Sequence, residues 1–342
     1  MKYRAYIGTY LVRGSRGIYL TEADTETGVL EILDAWPAVN PSYLAVSEGF
    51  LFAALECDEF EGNYGGGAAS YTINADGSLT LLSARPTRGK SPCHVCPGPE
   101  GKKLFVSNYG DGTFSVFNVK NGILGKAALF AHKGQGPDKT RQKGPHVHCI
   151  QPEPGGRRLF VIDLGIDRVV FYNLADMSEA GSYPFRGGSG PRHLVFSGSG
   201  QKKTEPIFAW AVCEMSSEIY AFDPKSGKTI GVYSTLPNDF SGHSTCAAIK
   251  LSADGRFLYA SNRGHDSVAC FETDSAAGSL SLLSVCPVNG CNPRDIAISP
   301  DGSFLYAVNQ DSDTINIFKL ENGLPLETGL SLEIPSPACM VF

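Results

Sequence analysis

Clustered basic residues, long apolar runs and helical periodicity are all missing from this 342-residue chain. Lys and Arg number 29 against 35 Asp and Glu, a formal charge of -6, and no stretch gathers the cations together. No nucleic-acid partner is expected on that ground, because backbone phosphates are bound by grouped Lys and Arg. No apolar run approaches the roughly 18 residues of a membrane-spanning helix, so no membrane partner is expected. The opening residues, Met1-Lys-Tyr-Arg-Ala-Tyr6, lack the basic-then-apolar pattern of a secretory signal. A cytoplasmic protein with its ten cysteines as free thiols is therefore expected. Cys93 and Cys96 form a single CxxC with no second pair, and no compact set of His, Asp and Glu has ligand spacing, so neither metal nor other cofactor is expected.

What the chain does have is 39 glycines and 21 prolines spread along its length, and a repeat. Leu104-Phe-Val-Ser-Asn-Tyr-Gly-Asp-Gly-Thr-Phe-Ser-Val-Phe117 and Leu258-Tyr-Ala-Ser-Asn-Arg-Gly-His-Asp-Ser-Val-Ala-Cys-Phe271 share one frame: an apolar strand, a polar turn and an alternating strand, which is a β-hairpin. Residues 159–172, 209–222 and 305–318 repeat it. Each hairpin follows an opening strand that starts at Pro41, Pro92, Pro145, Pro191, Cys246, Pro293 or Pro337. The openers recur about every 50 residues, the period of a four-stranded propeller blade. Pro337 to Phe342 is an opener with nothing after it, and residues 3–34 hold the rest of a blade with no opener before it. Joined, they give one all-β domain over 1–342: a seven-bladed β-propeller, four antiparallel strands per blade, closed by both termini in a shared blade, without exposed edges. Gly65-Gly-Gly67 reads as a flexible loop, and Ser199 to Pro206 as a hairpin turn longer than its counterparts.

In such a ring, equivalent repeat positions form circles around the channel. One column, eight residues before each closing aromatic, holds Tyr109, Leu164, Glu214, Arg263 and Gln310. The residue before it is usually polar, as at Asn108, Asp163, Asn262 and Asn309. A second column, just after each opener, holds Ser42, Cys93, His146, Arg192, Ala247, Arg294 and Ala338; two extra residues in its blade leave His148 as the alternative to His146. His94 and His193 come next and are expected to point the other way. Two arginines suit an anionic small molecule, since the guanidinium fork binds phosphate or carboxylate, and a nearby Glu or His can move a proton. His146, His148, Arg192, Glu214 and Arg263 are the candidate catalytic residues, with Arg192, Arg263, Asn262 and Asn309 as candidate substrate contacts.

Gly144-Pro-His-Val-His148, Gly190-Pro-Arg-His193, Ser261-Asn-Arg-Gly-His-Asp-Ser267 and Val308-Asn-Gln-Asp-Ser-Asp313 resemble the lactonase family of seven-bladed propellers, which includes 6-phosphogluconolactonases and carboxy-cis,cis-muconate cyclases. The resemblance runs from Ile7-Gly-Thr-Tyr10 to the last strand. It implies a site of one histidine (His148 or His146), Arg192, Arg263 and Glu214, and it implies lactonase activity. The expected function is hydrolysis of a sugar lactone, 6-phosphoglucono-1,5-lactone first, without a metal, by a monomer or weak homo-oligomer. Either Glu214 or the histidine would take the proton from water. The alternatives are muconate-type lactone formation and a non-catalytic binding propeller; two tryptophans and no repeated Trp-Asp ending speak against the last.

Overall fold

The computed structural model describes residues 2–198 and 207–342, so the long turn expected at Ser199 to Pro206 lies outside the described residues. Seven antiparallel sheets follow one another along the chain, six of four strands and one, at residues 92–131, with a fifth short strand, Ile123–Leu124. Blades 1 to 6 span residues 41–86, 92–131, 147–184, 191–234, 245–287 and 293–333. Blade 7 joins Lys2–Thr9, Ile18–Asp24 and Leu30–Trp36 to Pro337–Val341, which is its innermost strand. There Tyr6 pairs with Val341, Ile7 with Met340 and Gly8 with Cys339. Residues more than 300 apart in the chain thus close the ring with ordinary ladder bonds.

Each sheet buries both faces against its neighbours, which is why the inner strands read as almost unbroken apolar runs. The core accordingly divides into seven clusters, one at each boundary between blades. Phe105, Phe114, Val161 and Tyr172 join blades 2 and 3; Ile7, Tyr19, Tyr306 and Ile317 join blades 7 and 6. Truncating one of these aromatics to Ala would cost about 3–5 kcal/mol. The fourth strands form the outer rim and are largely exposed, as in Leu280–Pro287, where only Leu280 is buried.

Two positions need glycine for a stated reason. Gly278 turns at φ +71, and a Cβ there would lie 2.3 Å from the Phe208 ring of the preceding blade. Gly66 would set a Cβ 2.2 Å from Pro92. The Gly65-Gly-Gly67 stretch is therefore a packed crossing rather than the flexible loop its composition suggested. It follows a small extra hairpin, Glu59–Phe60 with Asn63–Tyr64. In blade 3 the opener is Val147, which pairs with Asp163. Pro145 and His146 belong to the preceding connection.

Candidate active site

Every innermost strand carries an irregularity at the same place. Pro41 pairs with Leu55 and Tyr43 with Ala54, so Ser42 drops out of the ladder. Cys93, His148, Arg192, Arg294 and Ala338 drop out in the same way. Such a bulge kinks the strand and re-aims a side chain. The residue leaving each second strand forms the next ring. Tyr10, Glu56, Tyr109, Leu164, Glu214 and Gln310 donate their backbone N–H groups to the carbonyl just before their own blade's opener, at 2.7 to 3.1 Å. Arg263, paired with Thr245, takes the same place in blade 5.

These two rings enclose a cavity of about 200 Å³ at the end of the channel where the innermost strands begin. Cys93, His148, Arg192 and Arg294 come from the bulges; Glu56, Tyr109, Glu214 and Arg263 come from the second ring. Arg141 joins them from the connection between blades 2 and 3. Glu214 lies at the centre of the charge. Its Oε1 accepts from Arg141 Nη2 at 2.5 Å, and its Oε2 lies 3.1 Å from Arg192 Nε and 2.9 Å from Arg263 Nη2. Backbone carbonyls fix the two inner guanidiniums: Arg192 Nη1 donates to Ala247 at 2.6 Å, and Arg263 Nη2 to Cys246 at 2.9 Å. Across the cavity Tyr10 donates its hydroxyl to Glu56 at 2.8 Å, and the Arg294 guanidinium lies 5.2 Å from the Tyr10 ring centre.

Four guanidiniums face two carboxylates here, which leaves the cavity with an excess of two positive charges. Burial pushes the Arg192 guanidinium down to about 10, and the neighbouring Arg263 charge acts in the same direction. Burial alone would raise the Glu214 carboxyl, but Arg263 and Arg192 outweigh it and hold it well below the usual carboxylate range. Arg263 Nε is a buried donor without an acceptor. An unpaired buried donor beside a repelled cation is an arrangement that an anion would relieve.

His148 is buried, with Nδ1 3.8 Å from Cys93 Sγ. Burial first, then Arg192, holds its imidazole well below its ordinary pKa, so it is neutral at neutral pH. Behind it the rings of His193, His94 and Tyr43 pack together: His148 to His193 is 5.3 Å between centroids, His193 to His94 is 5.5 Å, and His94 to Tyr43 is 4.4 Å. The expectation that His94 and His193 point away is corrected by the bulge. With one residue squeezed out of the ladder, consecutive side chains no longer alternate between faces, so Arg192 and His193 both turn toward the axis.

Arg192, Glu214, Arg263 and His148 thus come together, and His146 does not join them. Its ring stacks on Tyr109 at 4.5 Å and its Nδ1 meets the Tyr109 carbonyl at 2.8 Å, outside the cavity lining. Asn262 and Asn309, expected to touch substrate, are buried in the blades instead. Asn262 Nδ2 donates to Thr235 O and Ser267 Oγ, and Asn309 Nδ2 donates to Asn316 Oδ1. Neighbours on a strand face opposite sides, so Asn262 cannot share the cavity with Arg263. Glu56 and Arg141 were not anticipated. Counting five residues on from the leucine that starts each hairpin (Leu104 to Tyr109, Leu258 to Arg263, Leu305 to Gln310) would have reached Glu56 from Leu51, whereas Arg141 lies outside the repeat. Among the described residues, no group of three or more His, Cys, Asp or Glu side chains is placed to hold a metal ion.

The closed ring and its cation-rich cavity define a seven-bladed propeller suited to a small anion at the end of its channel. The chain belongs to the family described as "Lactonase, 7-bladed beta-propeller", whose model matches residues 4–342. It is 34% identical to the 6-phosphogluconolactonase of Bacillus subtilis, over all of this chain and 98% of that one. Among solved structures, the periplasmic gluconolactonase PpgL of Pseudomonas aeruginosa is 31% identical, with a TM-score of 0.91 over 100% of this chain and 99% of the other. A Lactobacillus plantarum protein is 32% identical, with a TM-score of 0.89 over 99% of each chain. No helix among the described residues is long and apolar enough to cross a membrane.

Proposed function

We propose that this protein hydrolyses 6-phosphoglucono-1,5-lactone to 6-phosphogluconate. The observation that carries the reading is the excess of two positive charges in a cavity of about 200 Å³, with a neutral imidazole in its wall. A phosphorylated sugar lactone supplies both a dianion and a carbonyl that gains negative charge as water adds. The relatives named above as 6-phosphogluconolactonase and gluconolactonase favour a lactone over the muconate substrates.

Arg192 and Arg263 take the carbonyl end, where the unpaired Arg263 Nε and the two positive charges stabilise the oxyanion. One such donor is typically worth about 10²–10³ in rate. His148 removes a proton from the attacking water as the oxygen bonds to C1, the bound anion and the forming oxyanion offsetting the Arg192 charge that otherwise keeps the imidazole neutral. The oxyanion then collapses, the C1–O5 bond breaks, and His148 returns the proton to O5; the new carboxylic acid ionises in solvent. Glu214 is a poor base for this purpose, because both its oxygens are engaged and three cations stabilise its ionised form. Its role is to hold Arg192 and Arg263 in place. Ten free cysteines accord with a reducing, cytoplasmic setting.

The test is hydrolysis of the phospholactone, coupled to 6-phosphogluconate dehydrogenase and corrected for spontaneous opening. Wild-type protein should turn over, and Arg192→Ala/Arg263→Ala should lose at least about 10³ in kcat/KM. A wild-type rate no higher than the spontaneous one would refute the reading, and turnover of carboxymuconate in its place would point to the cyclase chemistry.

A further inference from the structure

Among the described residues, Arg141 is the one cavity residue that no blade supplies. It lies on the connection between Ala128–Ala131 and Val147–Pro152, and that connection is held at several points. Asp138 Oδ1 accepts from the backbone N–H of Thr140 and Arg141, at 2.7 and 2.9 Å. Gln142, fully buried, donates to the Leu164 carbonyl at 2.8 Å. Asp163 grips both ends of the strap, meeting His132 Nδ1 with one oxygen and the His146 backbone N–H with the other, each at 2.7 Å. A carboxylate with no exposure therefore fixes the base of a loop whose tip carries a cation.

The guanidinium at that tip differs from its neighbours. The Arg141 side chain is 41% exposed, whereas those of Arg192 and Arg263 are 3% and 16% exposed. Arg141 Nη2 is shared between Glu214 and the Tyr109 hydroxyl, which leaves the rest of the fork facing the cavity mouth. On the other side of the cavity, Arg294 stands near Glu56 and Tyr10, so positive and negative charge balance there. That half suits sugar hydroxyls, and Glu56 would repel a dianion.

Resting on the lactonase reading above, we infer that Arg141 is the specificity-determining residue that captures the substrate's 6-phosphate at the mouth of the cavity. C6 hangs from C5, which the ring oxygen O5 joins to C1, so a carbonyl seated between Arg192 and Arg263 brings the flexible phosphate arm to the neighbouring Arg141 fork, which shares Glu214 with them at the more exposed side of the cavity. There the most strongly hydrated group of the substrate gives up the least water, and a charged fork meets it in a bidentate manner. Arg141 keeps Glu214 on Nη2 while Nη1 and Nε reach the phosphate.

The experiment compares kcat/KM for 6-phosphoglucono-1,5-lactone and for unphosphorylated glucono-1,5-lactone in the wild type, Arg141→Gln and Arg141→Lys. Loosening of Glu214 affects both substrates alike, so the ratio between them reads phosphate recognition alone. In Arg141→Gln that ratio should fall by about ten- to a hundredfold, mainly through KM. Arg141→Lys, which keeps the charge and loses the fork, should fall between. Titration calorimetry with 6-phosphogluconate and with gluconate gives the same comparison without turnover. A wild type that binds the phosphorylated sugar acid no better, or an Arg141→Gln protein that keeps the preference, overturns the assignment. Wild-type preference in binding, lost in Arg141→Gln but without any lactone turnover, would uphold Arg141 and refute the lactonase reading instead.

Discussion

Mild acid should destabilise this protein well before its carboxylates titrate. His94, His148 and His193 pack against one another beneath the cavity, and each is held neutral. Burial, followed by the charges of Lys250 and Arg192, brings His94 down to about 3. Burial and then Arg192 press His148 and His193 well below the ordinary value. In the unfolded chain all three return to about 6.5 and bind protons that the folded state refuses. Their contribution is therefore complete above about pH 6.5 and is lost as the pH falls toward the folded values. Each accounts for about 2 kcal/mol between about pH 8 and pH 5, or about 6 kcal/mol together. A domain's whole stability is about 5–15 kcal/mol. Urea unfolding followed by the fluorescence of Trp36 and Trp210, at fixed ionic strength, should show stability falling by about 4 kcal/mol per pH unit below about pH 6. His94→Phe keeps a ring against Tyr43 and removes one titrating site, so the slope should fall by a third. A slope of one proton or less, or an unchanged slope in the variant, would show that water or a proton reaches these rings and that the account is wrong.

The other expectations concern roles that neighbouring residues could be thought to share. His148→Asn should lower kcat by about 10²–10⁴, the usual worth of a general base, while His146→Asn should cost less than about tenfold, because only His148 lines the cavity; equal losses in steady-state kinetics would return His146 to the mechanism. Asn262→Ala should lower stability by about 1–3 kcal/mol by stranding Thr235 and Ser267 inside the blade, with KM for the lactone held within about twofold; thermal melts and kinetics on the same preparation separate the two effects.

The fold was legible because it is written seven times. An opening proline, an Asn- or Asp-rich hairpin turn and a closing aromatic recur along the chain, and the orphan strand Pro337–Val341 pairs with Lys2–Thr9 as the incomplete ends required. Arg192, Glu214 and Arg263 could be picked out for the same reason, since each is an unusual occupant of a repeated position. Arg141 could not be found that way. It stands on a connection with no counterpart in the other blades, and only folding brings it to Glu214, 73 residues away in sequence. Glu56 was hidden by the extra hairpin of blade 1, which lengthens the distance to the closing aromatic and moves the glutamate out of its column.

The remaining errors share one physical origin. Strict alternation assigns His94 and His193 to the side away from the channel and makes His146 and His148 equivalent. The bulge after each opener breaks that alternation at the one place where the channel is narrow enough for side chains from all blades to meet. It turns Cys93, His148, Arg192 and Arg294 into the cavity and keeps the next residue, His94 or His193, near the axis as well. Where the strand is regular, alternation holds and sends Asn262 into the blade while Arg263 enters the site. The bulge itself leaves no residue signature in these strands, since Ser, Cys, His, Arg and Ala all occupy it, so periodicity finds the blades and cannot orient the side chains that carry the chemistry.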